Sequence, residues 1–339
     1  MTALGLAVAI GTAWAAVSRE NGIPRRLLVV SGSRLPTHEL VLLIRSATGR
    51  RERFVTRLGS SLGDPAWSPN ASRFAWTDWR GVHAERADGS GHRLLVKSPC
   101  PYSTCANYSF AWSPDGRSLV VGGAGRIGDR LVIASAETGK STDVTPAQRR
   151  RGCISFGDPT CVQYAVIGWQ RRTIAYETNT QRAGSPADSI WVMGKDRKHP
   201  RLLRTFKDPI HDSPYAALSP DGSTVALVTE HRDPGDAAFG PVDTATRELH
   251  VVRVDAGLEK PVWSPDGRLA VSTPSGIVIL GARGTHRYSL HVRGAGLVWT
   301  RSDDLLFRRD ADLFVSDGGR RPPRLLFRAP GIRSFVPNW

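Results

Sequence analysis

One phrase of seven residues returns four times along this chain. The copies are Ala66-Trp67-Ser68-Pro69-Asn70-Ala71-Ser72, Ala111-Trp112-Ser113-Pro114-Asp115-Gly116-Arg117, Ala217-Leu218-Ser219-Pro220-Asp221-Gly222-Ser223 and Val262-Trp263-Ser264-Pro265-Asp266-Gly267-Arg268. Proline presets φ at the second turn position, the Asx side chain bonds the backbone two residues on, and glycine leaves the turn without steric cost. Each copy lies between apolar, β-rich runs and so predicts a hairpin. With that spacing known, degenerate copies emerge at Gly168-Trp169-Gln170-Arg171-Arg172, Val298-Trp299-Thr300-Arg301-Ser302-Asp303 and Phe335-Val336-Pro337-Asn338. Anchored at positions 67, 112, 169, 218, 263, 299 and 335, the seven copies are 45, 57, 49, 45, 36 and 36 residues apart.

A period near 45 with several short strands per unit is the mark of a propeller blade, whereas helical solenoids repeat amphipathic helices. After Trp67 the sequence reads as strands at Arg73 to Thr77, Gly81 to Arg86 and His92 to Lys97. The unit after Trp299 reads the same way. The two ends complement each other. Arg26 to Val30, Glu39 to Arg45 and Arg53 to Leu58 are second, third and fourth strands without a first, and Arg333 to Val336 is a first strand without the rest. Joining them removes unpaired edges. The expectation is an all-β, seven-bladed β-propeller, one domain over residues 22–339, closed by pairing of the N- and C-terminal strands. Six or eight blades are the alternatives, because the Leu218 unit leaves only Asp255 to Lys260 for its fourth strand.

The Trp-Ser-Pro-Asp-Gly phrase followed by a short apolar strand resembles the TolB-like, WD40-like β-propeller repeat family, over nearly the whole chain after Asn21. The resemblance is specific for fold and weak for function. Related propellers serve as protein-binding scaffolds, as caps of prolyl-oligopeptidase-like enzymes and as polysaccharide-lyase folds. The chain departs from the family's namesake in giving seven repeats where that protein has six, and in lacking its additional N-terminal α/β domain.

Ten Trp and 40% hydrophobic residues supply material for seven layers between blades. The formal charge of +15 raises the question of an anionic partner such as nucleic acid, a wall polymer or a lipid surface. Nucleic acid is not expected, since no basic run is interleaved with stacking aromatics. Residues 1–18 carry no charged side chain and read as a signal peptide or N-terminal hydrophobic segment, with Ala13-Trp14-Ala15 as a cleavage pattern but no basic region before it. No membrane span is expected in the mature chain, and the expected location is secreted or in the cell envelope. The four cysteines form two local pairs, Cys100 with Cys105 and Cys153 with Cys161, in loops that lead to neighbouring repeats. Paired loop cysteines favour disulfides, each contributing roughly 2 kcal/mol. Connectivity across the two loops stays open. Their spacings differ from those of zinc knuckles, and neither a metal nor a cofactor is expected.

Two catalytic-looking strings have simpler readings. Gly59-Ser60-Ser61-Leu62-Gly63 fits G-x-S-x-G but leads into the Trp67 strand, where a nucleophile elbow needs a strand-turn-helix. Gly123-Ala124-Gly125-Arg126-Ile127-Gly128 fits G-x-G-x-x-G, yet a strand follows instead of a helix, so a hairpin turn explains it. Antiparallel succession places every long insertion on one rim, opposite the Ser-Pro-Asp-Gly turns. There His211-Asp212 and His231-Arg232-Asp233 flank the Leu218 repeat, and Arg182 lies on a neighbouring insertion. The two His and two carboxylates have the chemistry to hold a divalent metal or do acid/base work, the plainer reading being ordinary loop residues, and Arg182 and Arg232 are candidates for contacting an anion or peptide. No catalytic residue is assigned. The reading is an exported, non-enzymatic scaffold for a protein or anionic cell-envelope ligand. The alternative is a polysaccharide lyase or hydrolase with its His/Asp site on the same rim.

Overall fold

A computed structural model of the chain describes residues 26–32, 40–46, 51–59, 65–98, 108–124, 130–146, 162–180, 187–194, 200–206, 215–229, 238–245, 252–253, 260–281, 285–300, 302–310, 312–317, 321–328 and 332–337. These residues contain strands and turns and no helix. The strands are β1 (Arg26–Gly32), β2 (Leu40–Ser46), β3 (Arg51–Gly59); β4 (Ala66–Trp67), β5 (Arg73–Asp78), β6 (Gly81–Arg86), β7 (Arg93–Lys97); β8 (Ser109–Trp112), β9 (Ser118–Ala124), β10 (Arg130–Ser135), β11 (Ser141–Asp143). They continue with β12 (Val162–Gln170), β13 (Thr173–Thr180), β14 (Ala187–Met193), β15 (Arg201–Phe206); β16 (Tyr215–Leu218), β17 (Thr224–Thr229), β18 (Ala238–Asp243), β19 (Val252–Arg253); β20 (Val262–Trp263), β21 (Leu269–Thr273), β22 (Gly276–Leu280), β23 (His286–Leu290). The last are β24 (Ala295–Trp299), β25 (Leu305–Arg309), β26 (Asp312–Ser316), β27 (Arg324–Arg328) and β28 (Ile332–Pro337).

Among the described residues these strands form seven four-stranded antiparallel sheets, each made of four successive strands apart from the first, which takes β28 beside β1. Leu28 lies opposite Val336 and Val29 opposite Phe335, so the two ends of the chain share one sheet. The first strands approach one another in turn, β4 to β8, β8 to β12, β12 to β16, β16 to β20, β20 to β24, β24 to β28 and β28 back to β4. One expectation shifts. The fourth strand of the Leu218 sheet is Val252–Arg253, paired with Phe239 and Ala238, and not Asp255 to Lys260, of which 255–259 lie outside the described residues. Val252 favours an extended strand, whereas Asp, Gly, Glu and Lys, which dominate 255–260, disfavour one.

The repeated phrase folds as its chemistry requires. In the third sheet Gly116 donates its N–H to the Ser113 carbonyl at 2.8 Å, closing the turn. The buried Ser113 hydroxyl donates to Asp115 Oδ1 at 2.6 Å and accepts from Ser118 N at 2.9 Å, while the same carboxylate accepts from Arg117 N at 3.0 Å. Ser219 with Asp221 and Ser264 with Asp266 repeat the arrangement. Gly267 takes φ 82°; in the first copy Ala71 is held at the same place with φ 55°. The Trp at the second position of the phrase has a further task. Trp112, Trp263 and Trp299 donate their indole N–H groups to the carbonyls of Ala66, Ala217 and Val262 at 3.0–3.1 Å, each on the first strand of the preceding sheet. The repeat thus both turns the chain and stitches neighbouring sheets.

The hydrophobic core is correspondingly a set of seams. Leu42 of the first sheet packs on Trp67, Phe74 and Trp76 of the second, whose other face packs Ala75, Val82 and Leu95 on Trp112, Leu119 and Val121 of the third. The last seam joins Leu306, Leu313 and Val315 to Leu27, Val29 and Phe335. Fully burying a side chain of this size stabilises by about 1.5–3 kcal/mol, so the sheets depend on their neighbours more than on any centre.

Candidate functional site

Turns between first and second strands, and between third and fourth, open on one rim; turns between second and third strands, and the loops leading to the next sheet, open on the other. On the first rim the Ser-Pro-Asp-Gly side chains satisfy one another. The residues expected to carry binding on the second rim, Arg182, His211, Asp212, His231, Arg232 and Asp233, lie outside the described residues, as do Cys100, Cys105, Cys153 and Cys161. On that rim the structure describes two-residue turns at Trp79-Arg80, between β5 and β6, and at Pro274-Ser275, between β21 and β22. Trp79 is 49% exposed, with the Arg80 guanidinium 5.7 Å from its ring centroid.

Beneath this turn lies a chain of polar groups. The Asp78 carboxylate, fully enclosed, accepts the Arg80 backbone N–H at 2.8 Å, Arg80 Nη2 at 3.0 Å and a bond from His83 Nε2 at 2.8 Å. His83 Nδ1 then faces His92 Nε2 at 3.1 Å. His83 is 2% exposed, whereas His92, at the foot of β7, is open to solvent. Trp76 stacks on both imidazoles at 5.3 and 5.5 Å between centroids. Next along the same face, Glu85 pairs at 2.5 Å with Arg53, which reaches over from β3 of the first sheet and covers the Phe74 ring. Burial raises the Asp78 pKa, but the His83 and Arg80 contacts outweigh it and hold the carboxyl below its ordinary value. Burial, and then the neighbouring His83, hold His92 below the ordinary imidazole value.

Strand geometry explains how these residues meet. Alternation along β5 puts Phe74, Trp76 and Asp78 on one face, and the tight turn sets Trp76 opposite His83 and Phe74 opposite Glu85. The repeat supplies a comparison. Starting from each anchor's cross-strand partner and moving two residues on, the seats held here by Trp76 and His83 are held by Val121 and Val132, Tyr176 and Trp191, Leu227 and Gly240, Val271 and Val278, and Phe307 and Phe314. Of these six sheets, the second alone places an ionisable imidazole in the seam. In the sequence these histidines look scattered; the signal that finds them is Asp78 and Gly81 bracketing a two-residue turn, which fixes the cross-strand register. Among the described residues no three or more His, Cys, Asp or Glu gather as a metal would require, and no helix is long and apolar enough to cross a membrane.

No family model matches the chain, and no curated protein matches it. Solved structures do. The β-propeller domain of the Trilobed protease from Pyrococcus furiosus is similar with a TM-score of 0.59 and 14% identity, over 89% of this chain and 94% of that one. TolB from Acinetobacter baumannii gives 0.51 and 18% identity over 82% and 67%, and an oligogalacturonate lyase in complex with manganese gives 0.53 and 14% over 84% and 81%. At such identities the likeness is one of fold. The class is the all-β propeller, the fold shared with these structures.

Proposed function

We propose that the chain is an exported, seven-bladed propeller that acts as a non-enzymatic scaffold, binding a protein or anionic cell-envelope ligand through the rim that bears Trp79. The observation that carries this reading is the contrast between rims. One ends in turns whose polar groups are internally satisfied; the other presents Trp79, the most exposed large apolar side chain among the described residues, beside Arg80. Exposed Trp and Arg on a rigid scaffold are the residue types that dominate binding energy at interfaces. Arg182, Arg232, His211, Asp212, His231 and Asp233 extend the same rim in this reading, with the loop cysteines as disulfides that stiffen it.

The test is co-sedimentation of the purified chain with cell envelopes of the source organism. Trp79→Ala should weaken retention roughly 30-fold, the loss of a hot spot worth about 2 kcal/mol, with an unchanged unfolding midpoint. Equal retention of Trp79→Ala and wild type would overturn the reading. The lyase alternative makes a different demand, because an oligogalacturonate lyase of similar fold holds manganese. Stoichiometric metal in the purified chain, lost on changing His211 or His231, would favour it.

A further inference from the structure

We propose that Asp78, His83 and His92 form a proton-sensitive lock on the face of the second sheet that packs against the first: the two imidazoles remain joined while they hold at most one added proton, and a second parts them.

The inference follows from counting protons at one contact. His83 Nδ1 and His92 Nε2 face each other at 3.1 Å, so the contact holds only if one nitrogen carries a hydrogen and the other a lone pair. Asp78 keeps a hydrogen on His83 Nε2 in every state, being a buried acceptor at 2.8 Å. In the neutral pair His92 Nε2–H donates to His83 Nδ1. One added proton enters at His92 Nδ1 and the shared hydrogen passes from His92 Nε2 to His83 Nδ1, so that His83 carries hydrogens on both nitrogens and donates Nδ1–H to His92 Nε2. After a second, both facing nitrogens carry hydrogens and no acceptor remains between them.

The surroundings do not absorb that second charge. The groups that face the pair are Asp78, Arg80 and Glu85 of the same sheet and Arg53 of the first. Both carboxylates are already matched by guanidinium groups, Asp78 by Arg80 and Glu85 by Arg53. Retreat is open to His92 alone, because His83 is buried while His92 borders solvent. The joined state also leaves the Trp76 indole N–H, 2% exposed, without a hydrogen-bond partner among the described residues, and opening would bring it water. The proton balance fixes the pH window. Burial holds the folded pKa of His92 below 6.5, so the unfolded chain binds the extra proton first. The contact's contribution is therefore complete above about pH 6.5 and is lost as pH falls through the folded value.

The full chain is followed by NMR of its histidine ring protons, assigned with His83→Gln and His92→Gln, and by hydrogen exchange of β7 amides. In the wild type the His92 ring signals should move as acid opens its contact with His83. Once the second proton is bound the Val96 and Ser98 amides should exchange at least ten-fold faster, an effect size set by the loss of one side-chain bond. His92→Gln keeps an amide donor for His83 and cannot titrate. It should abolish the acid acceleration while leaving exchange at neutral pH unchanged. Equal acceleration in His92→Gln, or no acceleration in the wild type, would each overturn the lock.

Discussion

Two glycines permit a measurement of how tightly the Trp79 turn is held. Gly81 opens β6 with φ +137°, and a Cβ there would stand 1.9 Å from the Val96 carbonyl oxygen and 3.0 Å from Ser98 N, both backbone atoms of the adjoining chain. Gly267, in a Ser-Pro-Asp-Gly turn, has φ +82° and nothing within 4 Å of a Cβ. Gly267→Ala therefore measures backbone strain alone, about 1 kcal/mol after the gain from a stiffer unfolded chain. Gly81→Ala adds displacement of a packed strand, typically 1–3 kcal/mol, on top of a φ that alanine tolerates less well, for about 4 kcal/mol in all. It should also disrupt the 2.6 Å bond from Ser98 N to the Arg80 carbonyl, which ties the turn to the outer strand. The assay is urea unfolding, where the ratio of midpoint shifts removes the common slope m. Gly81→Ala should shift the midpoint about four times as far as Gly267→Ala. Shifts of similar size would refute the reasoning, since they would mean that β7 yields freely and that the turn is not fixed by its neighbour.

Trp112→Phe removes the indole bond to the Ala66 carbonyl together with part of a buried ring, and should cost about 2 kcal/mol in urea unfolding. Arg268 bonds Asp266, Asp303 and the Tyr288 hydroxyl, and lies 4.7 Å from the Trp299 ring centroid, linking the sixth and seventh sheets. Lysine offers neither the fork nor the stacked plane, so Arg268→Lys should lower stability by about 2 kcal/mol, and a loss below the error of calorimetry would count against the link. Acid unfolding should show a phase distinct from that of the histidines. The Ser113 hydroxyl and Arg117 N–H hold Asp115 below 3.8, and at Asp221 the bonds from Ser219 and Ser223 outweigh a burial effect that raises its pKa. Because these folded values are depressed, their contribution is complete above pH 3.8 and declines below it. Asp115→Asn combined with Asp221→Asn should flatten stability between pH 4 and pH 2 in a denaturant series, a range set by ordinary carboxylate pKa values of about 4.

The repeat was legible because its hydrogen bonds are local. Ser113, Asp115 and Gly116 close their turn within four residues, so the sequence motif and the structure are nearly the same object. The pairing of β28 with β1 was legible for a different reason: each end of the chain lacks the strands that the other has. Val252–Arg253 was not legible, since two residues carry no periodicity and their pairing depends on β18 being in place. The stitching role of Trp112, Trp263 and Trp299 was equally hidden, as it is a contact between sheets and no spacing encodes it.

The polar chain below Trp79 is the more instructive omission. Asp78, His83 and His92 stand five and nine residues apart, intervals that match no helical or metal-binding pattern, and they converge only because a two-residue turn fixes how β5 and β6 face each other. Once that register is known the repeat becomes its own reference. Seams in this protein close with Val121 and Val132, or with Phe307 and Phe314, in the seats that the second sheet gives to Trp76 and His83. A buried imidazole and carboxylate are therefore not needed to hold a seam shut. Their desolvation has to be offset by hydrogen bonds that an apolar pair would not require. A seam assembled from costlier parts than its neighbours use, ending in a solvent-exposed imidazole, is where a response to protons can be built without altering the rest of the ring.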